Sequence, residues 1–420
     1  MKLVSPVVPA LLAVSAGAPA GAFASDVLVV DPTGAGDHRR IDDATQAAGV
    51  GDVVLVRAGT HVERVSVSRG MTIVADGPVR IDGSIGVADV PSGDFVLLAG
   101  LDVVQPPISQ TTRLGAVEVL RCSGPVRLVD CELEGWDGEE VMSWILPGGP
   151  GLHAAQSADV AAIECQILGG NGGIGFLWGS SPAWGGPGVE ASDVAFLTLM
   201  RSLVVGGYGE GVDLGGDGGH ALMLEGSCIV DLSYSALLGG EGGFGIFGAC
   251  GGAGGHGIVA SGQLVRRLGG VLDGGTAGDP ATCGSSVDGA PSVGTTPVVL
   301  QGHPSSLGLP LTVRRGDPVV AEVAGVAGDR GRVHVRNDTG RRFSGPLLQP
   351  WLLRRWMPLV PYAAPFTIDG TGQATVPLGN APLSGGRDAA VYWLQGRIGD
   401  GSGVPRATSA RPLIVLDPAL

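Results

Sequence analysis

The sequence predicts an all-β protein, a parallel β-solenoid followed by a small β-sandwich. Three observations carry that reading. A twenty-residue unit recurs five times, at 117–136, 151–170, 188–207, 221–240 and 256–275. The connectors between copies are dense in glycine. Beyond residue 297 the glycine content falls and short alternating runs begin.

The repeat sets the architecture. Connectors of 14, 17, 13 and 15 residues make the register advance by 34, 37, 33 and 35. A period of this size means one supersecondary unit stacked on copies of itself. Helical repeats share such periods, but glycine in a helix costs roughly 1 kcal/mol per residue. No unit offers the apolar stripe a helix needs, whereas Leu197-Thr198-Leu199-Met200 and its equivalents alternate with period two. Cys131, Cys165, Ser202 and Ser235 occupy one position of successive units. With coils about 4.8 Å apart, they should form an internal ladder of small polar side chains. The preceding column, Asp130, Glu164, Arg201 and Tyr234, should face solvent at the same turn. The fifth unit fits both columns less well.

Ahead of the repeats, Lys2, an apolar stretch and Ala22-Phe23-Ala24 read as a signal peptide over residues 1–24, cleaved after Ala24. No later segment reaches the roughly 18 apolar residues of a membrane span. Residues 25–275 are assigned to the solenoid, 276–297 to a Gly/Ser/Pro-rich linker and 298–420 to the sandwich. The last rests on runs at 318–323, 331–335, 372–376, 389–394 and 412–416 with turns between them.

Charge divides along the same boundary. Residues 1–297 carry 13 basic and 32 acidic residues, net −19, whereas 298–420 carry 13 arginines and 8 acids, net +5. The acidic solenoid argues against a nucleic-acid partner, and the complementarity favours docking of one part on the other or attachment to a surface. The single lysine is Lys2, so the processed chain has no Schiff-base lysine and no Walker-type phosphate loop. In an exported chain six cysteines read as disulfide candidates. Cys250 with Cys283, Cys131 with Cys165, and Cys122 with Cys131 are all open, as is an unbridged thiol ladder. Cys228 has no assigned partner.

Residues 27–82 read as a strand, a short helix with Ile41, Ala44, Ala47 and Ala48 on one face, and further strands. Gly51-Asp52-Val53-Val54-Leu55-Val56 is followed by Gly59-Thr60-His61-Val62-Glu63. This segment resembles the opening of right-handed parallel β-helix proteins of the pectin lyase-like superfamily, with His61 where a tyrosine is usual. The resemblance covers roughly residues 26–84, and the five units fit its coil pattern. It implies a right-handed parallel β-helix with an N-terminal capping helix. It does not imply an activity, because the superfamily holds lyases, esterases, hydrolases, epimerases, phage tailspikes and non-catalytic surface proteins. The catalytic sets of these families are absent. Val212-Asp213-Leu214-Gly215 comes nearest to the esterase pattern and lacks its aromatic residue.

Four constellations could carry chemistry. Trp178, Trp184, Tyr208, Phe244 and Phe247, with Phe176, punctuate the glycine connectors. They could stack on sugar faces or simply pack the loops together. Glu210, Asp213 and Asp217 lie in a stretch resembling Gly-Gly-x-Gly-x-Asp calcium repeats, and their oxygens would suit Ca2+. The Asp130, Glu164, Arg201, Tyr234 column pairs carboxylates with an arginine, as lyases of this fold do, and equally as ordinary cross-strand ion pairs do. His220 and His256 follow Gly-Gly one period apart, without an evident third metal ligand. The leading expectation is an exported, non-catalytic scaffold on a bacterial cell surface or in the extracellular space. Its partner would be an extracellular polysaccharide or a surface component. The alternative is a polysaccharide-active enzyme, such as a calcium-dependent polysaccharide lyase, using the Asp130–Tyr234 face.

Overall fold

The structure, a computed structural model, describes residues 26–105, 115–138, 140–141, 144–173, 183–210, 215–245, 250–278, 286–300, 305–336, 365–381, 388–399 and 406–420. The expected signal segment, residues 1–24, lies outside them. So do Trp351 and Trp356 with Arg354 and Arg355 between them, an aromatic and basic stretch of the C-terminal part.

The chain opens with strand Val27–Val30, paired in parallel with Val53–Val56, and helix Ile41–Ala47 laid across the first coil. Ile41, Ala44 and Ala48 are buried as expected, but Ala47 faces outward. Thr45 turns inward instead, its hydroxyl donating to the carbonyls of Asp42 (2.9 Å) and Ser66 (3.0 Å). Glu63 holds the helix start. Its carboxylate accepts the N–H groups of Ile41 and Asp42, both at 2.9 Å, which satisfies two of the orphan donors of a helix N-terminus. The glutamate of the Gly-Thr-His-Val-Glu stretch thus ties the cap to the first coil. No helix among the described residues is long and apolar enough to cross a membrane.

Each coil carries three short strands, and equivalent strands of successive coils pair in parallel. The first strands, such as Val117–Leu120 and Leu152–Ala155, build an eight-stranded sheet. The second and third, such as Val126–Val129 and Glu132–Glu134, share a fifteen-stranded sheet. Val126, Val160, Leu197, Val230 and Val265 stand opposite one another in turn, which reproduces the four register advances of the sequence. Apolar residues pointing into the coil form one continuous core from Val30 to Val265. Strand pairing continues through Ser292–Val293 and Val298–Leu300, past the residue 275 boundary expected for the solenoid.

Two columns of left-handed residues turn the chain between strands. Asp130, Glu164, Arg201 and Tyr234 have φ of 52°, 55°, 52° and 52°. Asp89, Arg121, Gln156 and Asp193 form a second such column at the other corner. Left-handed non-glycine residues are uncommon, and here they recur because every coil must make the same bend. In the last coil the first column passes to Gly269 and Gly270, both at positive φ, which explains the poor fit of the fifth unit. Just inside this bend sits the expected ladder. Cys131, Cys165, Ser202 and Ser235 are all buried. The Ser202 hydroxyl accepts the Cys165 N–H (3.2 Å) and the Ser235 hydroxyl accepts the Ser202 N–H (3.1 Å). Cys122, Cys131, Cys165 and Cys228 are in no disulfide. Cys250 is disulfide-bonded, and Cys283 lies outside the described residues.

The connectors are not irregular loops. From the end of one coil the chain runs outward through Gly-Gly-x-Gly, at 169–172, 206–209 and 239–242, and returns through a second Gly-Gly pair. Gly169 and Gly172 donate to Val205 (2.9 Å) and Tyr208 (2.8 Å) of the next outward run, while Gly170 between them donates to Gly149 of a return run (2.8 Å). Gly206, Gly207 and Gly209 repeat the pattern on the following coil. Donors three residues apart share a direction, which is the threefold geometry of an extended polyproline-II-like chain. Outward and return runs make two hydrogen-bonded layers. Gly289, 275, 255, 240, 219, 207, 186 and 170 each donate to the one before, ending on Gly149, all at 2.7–2.8 Å. Glycine is required by proximity. A Cβ at Gly207 would overlap the Gly170 carbonyl oxygen, and one at Gly219 would overlap that of Gly186.

The C-terminal part is a sandwich of a three-stranded and a five-stranded sheet. Its interior holds Leu307, Val319, Val333, Val376, Leu394, Leu413 and Val415. The alternate residues of the five-stranded sheet, Trp393, Ala410, Ile414 and Leu416, join Val74, Ala99, Val129, Ile163 and Met200 of the solenoid in one cluster. Its strands Ala389–Gly399 and Arg406–Leu416 therefore bury apolar residues on both faces. The seam is flanked by ion pairs from Arg57 and Arg314 to Asp76, and Arg57 also donates to the Leu420 carbonyl. The docking anticipated from the opposed charges is present.

Gly219→Ala should lower stability by about 1–3 kcal/mol, the penalty of forcing extra volume into a filled site. Gly370→Ala places its Cβ in open space and should change stability by less than about 0.5 kcal/mol. Urea-unfolding midpoints of the two variants check the difference.

Candidate functional site

The left-handed column brings the four candidate catalytic residues together, one per coil. Their expected solvent exposure is partial. Arg411 of the sandwich reaches across the seam, its Nη1 on Asp130 Oδ1 (2.8 Å) and Glu164 Oε2 (2.9 Å), its Nη2 on Asp130 Oδ2 (2.6 Å). The other Glu164 oxygen faces Arg201 Nε at 3.3 Å. The Arg411 side chain is only 7% exposed, against 33% and 26% for Asp130 and Glu164. Burial works against its charge, but the hydrogen bond to Asp130 and the charges of Glu164 and Asp130 outweigh burial and raise its pKa. Asp130, Arg411, Glu164 and Arg201 thus alternate in sign along a neutral chain. A base role for Glu164 would require Arg411 to withdraw first. Tyr234 on the next coil lies over Gly269, where a Cβ would strike its ring.

Of the candidate binding aromatics, Trp178 and Phe247 lie outside the described residues, as does Phe176. Trp184 and Phe244 are 53% and 58% exposed. Tyr208 stands in the x position of an outward run, its N–H on Asn171 Oδ1 at 2.9 Å. Burial raises its phenol pKa, opposed by a hydrogen bond to the Phe244 backbone, so Tyr208 and Phe244 are brought together. Trp184 stands instead at the head of a return run. The aromatics therefore divide between the two layers of glycine runs.

Two of the three calcium candidates, Glu210 and Asp217, fall on described residues. Asp213 lies outside the described residues. The Glu210 carbonyl, a ligand of the kind calcium uses, already accepts the N–H groups of Ala183 (3.2 Å) and Gly216 (3.0 Å). Asp217 Oδ1 accepts the Ala253 N–H at 2.8 Å. Burial, then Asp137, pushes the Glu210 carboxyl above its usual range. Among the described residues no group of three or more potential metal ligands comes together.

Sequence reasoning passed over a shallow cleft of about 430 Å³ on the fifteen-stranded sheet, lined in part by Thr60, Arg80, Asp102, Asp130 and Glu132. Asp102 and Glu132 are direct neighbours on adjacent strands. Of the column residues, Asp130 alone reaches it. Reading the outward positions of the third strands as a column would have placed Arg80, Asp102 and Glu132 in a row.

No family model matches the chain, and no curated protein matches it. Among solved structures, full-length tailspike protein 2 from Escherichia coli O157:H7 bacteriophage CAB120 aligns with 85% of this chain at 11% identity and a TM-score of 0.21. The alignment spans 64% of the tailspike's length.

Arg411→Gln should cost about 2–3 kcal/mol, below the roughly 3–5 of a broken fully buried pair, because both carboxylates keep some water. Adding Asp130→Asn should recover part of that loss. A double-mutant cycle measured by thermal unfolding would show coupling of about 1 kcal/mol or more.

Proposed function

We propose that this protein is an exported, non-catalytic scaffold of the cell surface or extracellular space, and that it binds an extended polysaccharide along its glycine runs. The observation behind this reading is the unbroken series of hydrogen bonds from Gly289 to Gly149. It holds the outward side chains of successive coils, Asp137, Asn171, Tyr208 and Glu241, at one position of each outward run. A platform that is already ordered loses little conformational freedom when a ligand binds. Exposed Trp184 and Phe244 supply apolar faces of the kind that stack on sugar rings. Amides, carboxylates and a phenol supply the polar contacts. Export rests on the signal-like residues 1–24.

A second reading is favoured by the cleft. Asp102, Asp130 and Glu132 beside Arg80 offer paired carboxylates and a cation, the ingredients of a polysaccharide-active enzyme such as a lyase. Any calcium would have to be held there by ligands outside the Glu210–Asp217 segment.

Residues 25–420, passed over immobilised acidic and neutral polysaccharides, should be retained on at least one of them. Trp184→Ala and Phe244→Ala should each weaken that retention about tenfold, the equivalent of one stacking contact. Unchanged retention in both variants would remove the glycine runs as the binding surface. In the same panel, absorbance of new unsaturated ends that a chelator abolishes, and that Glu132→Gln also abolishes, would replace the scaffold with the lyase.

A further inference from the structure

Outward side chains on the glycine runs double as acceptors for the neighbouring coil's backbone. Asp137 Oδ1 accepts the Asn171 N–H (2.7 Å), Asn171 Oδ1 that of Tyr208 (2.9 Å), and Asp217 Oδ1 that of Ala253 (2.8 Å). On the return runs, Pro150 and Pro187 follow their Gly-Gly pairs and have no N–H to satisfy. In the next two coils that position passes to His220 and His256, and here the acceptors are imidazoles. His220 Nδ1 accepts the His256 N–H at 3.0 Å, and His256 Nδ1 accepts the Ala290 N–H at 2.9 Å. The two rings stack with centroids 5.1 Å apart and planes within 13°.

An accepting Nδ1 places the proton of each neutral ring on Nε2. Carboxylate and amide acceptors keep their lone pairs across the neutral range. An imidazole loses its own on protonation and then sets a donor against a donor. Two stacked imidazolium rings would also repel each other. We propose that the His220–His256 stack is an acid-sensitive latch that closes the return layer of the last coils at neutral pH and opens it when the rings are protonated.

Among the described residues, three charged groups lie on the same and neighbouring runs. Asp217 precedes His220 on its return run, Asp288 lies on the following return run, and Glu241 lies on an outward run. Burial, then His256, lowers the His220 pKa from its ordinary 6.5, with Asp217 pulling the other way. A depressed histidine pKa means that the unfolded chain binds more protons, so the contribution is complete above about 6.5 and is lost as pH falls through the lower folded value. His153 works in the opposite sense. Glu118, with an oxygen 3.8 Å from its Nδ1, and the nearby Glu190 raise its pKa against burial, so its contribution is complete below about 6.5 and fades as pH rises. Global stability therefore mixes two opposed terms, and the test must be local.

Hydrogen exchange of individual amides, corrected for intrinsic chemistry, provides that test. From about pH 7.5 to pH 5.5, the His256 and Ala290 amides should gain about tenfold in exchange rate. The Tyr208 and Ala253 amides, whose acceptors are the Asn171 amide and the Asp217 carboxylate, should not. Nitrogen-15 shifts should show the Nε2–H tautomer at high pH and a His220 midpoint below 6.5. His220→Asn keeps a side-chain acceptor without the titration and should flatten the response at His256. Equal acceleration at Tyr208 and Ala253, a His220 midpoint at or above 6.5, or an unchanged response in His220→Asn would each overturn the latch. If the variant does not fold, the comparison of amides within the unaltered protein decides alone.

Discussion

The constraint on which the rest depends is that each coil must present to the next the same backbone donors and acceptors, about 4.8 Å away. A buried amide has to find a carbonyl, and in a stack the carbonyl is supplied by the equivalent residue one coil along. Every position thereby becomes a column. Where the chain bends, the column must tolerate the left-handed region, so residues as different as Asp130, Arg201 and Tyr234 share one φ. Where it meets the inside corner, the column must be small, hence Cys131, Cys165, Ser202 and Ser235. Where two runs lie back to back, the column must be glycine. Side-chain chemistry is free to vary only on the outer positions, and these hold the described candidate binding groups Trp184, Tyr208 and Phe244.

Electrostatics follows the same geometry. Stacking like charges on adjacent coils is unfavourable, and the acidic solenoid offsets this partly by alternation. Asp159 faces the buried Arg127, and Asp231 faces Arg266 on the next coil. At Asp130 and Glu164 the alternation is completed from outside by Arg411. A cation borrowed from a sequence-distant sheet there replaces one the column lacks. The basic sandwich is thus part of the charge balance of the solenoid as well as its lateral cover.

The sequence made the repeat, its registers, the thiol–serine ladder and the capping segment legible, because each leaves a periodic trace in side-chain type. What escaped it left no such trace. The second bend column, Asp89, Arg121, Gln156 and Asp193, is uniform in backbone conformation and mixed in chemistry. The glycine runs read as loops because glycine carries no pattern of its own. Their signal was the regular spacing of Gly-Gly pairs, out at 169, 206 and 239 and back at 185, 218 and 254. The Arg411 contact could be sensed only as an imbalance of charge between the two parts of the chain, since no local motif distinguishes that arginine from its neighbours. The buried Thr45 in place of Ala47 shows the limit of reading a seven-residue helix by apolarity alone, because a hydroxyl with two carbonyl partners packs inward as well.

Strands Ala389–Gly399 and Arg406–Leu416 bury apolar residues on both faces of their sheet, and this bears on how the chain comes to be assembled. Ile414 and Leu416 point to one side and Leu413 and Val415 to the other, so released alone the sandwich would carry a bare stripe around Trp393. Such stripes invite self-association. Synthesis from the N-terminus avoids the hazard, because the coils are complete before residues 389–416 emerge, and the stripe condenses directly onto a finished wall. Moved to the front of the chain, the same sandwich would have to wait, exposed, for its partner to be made.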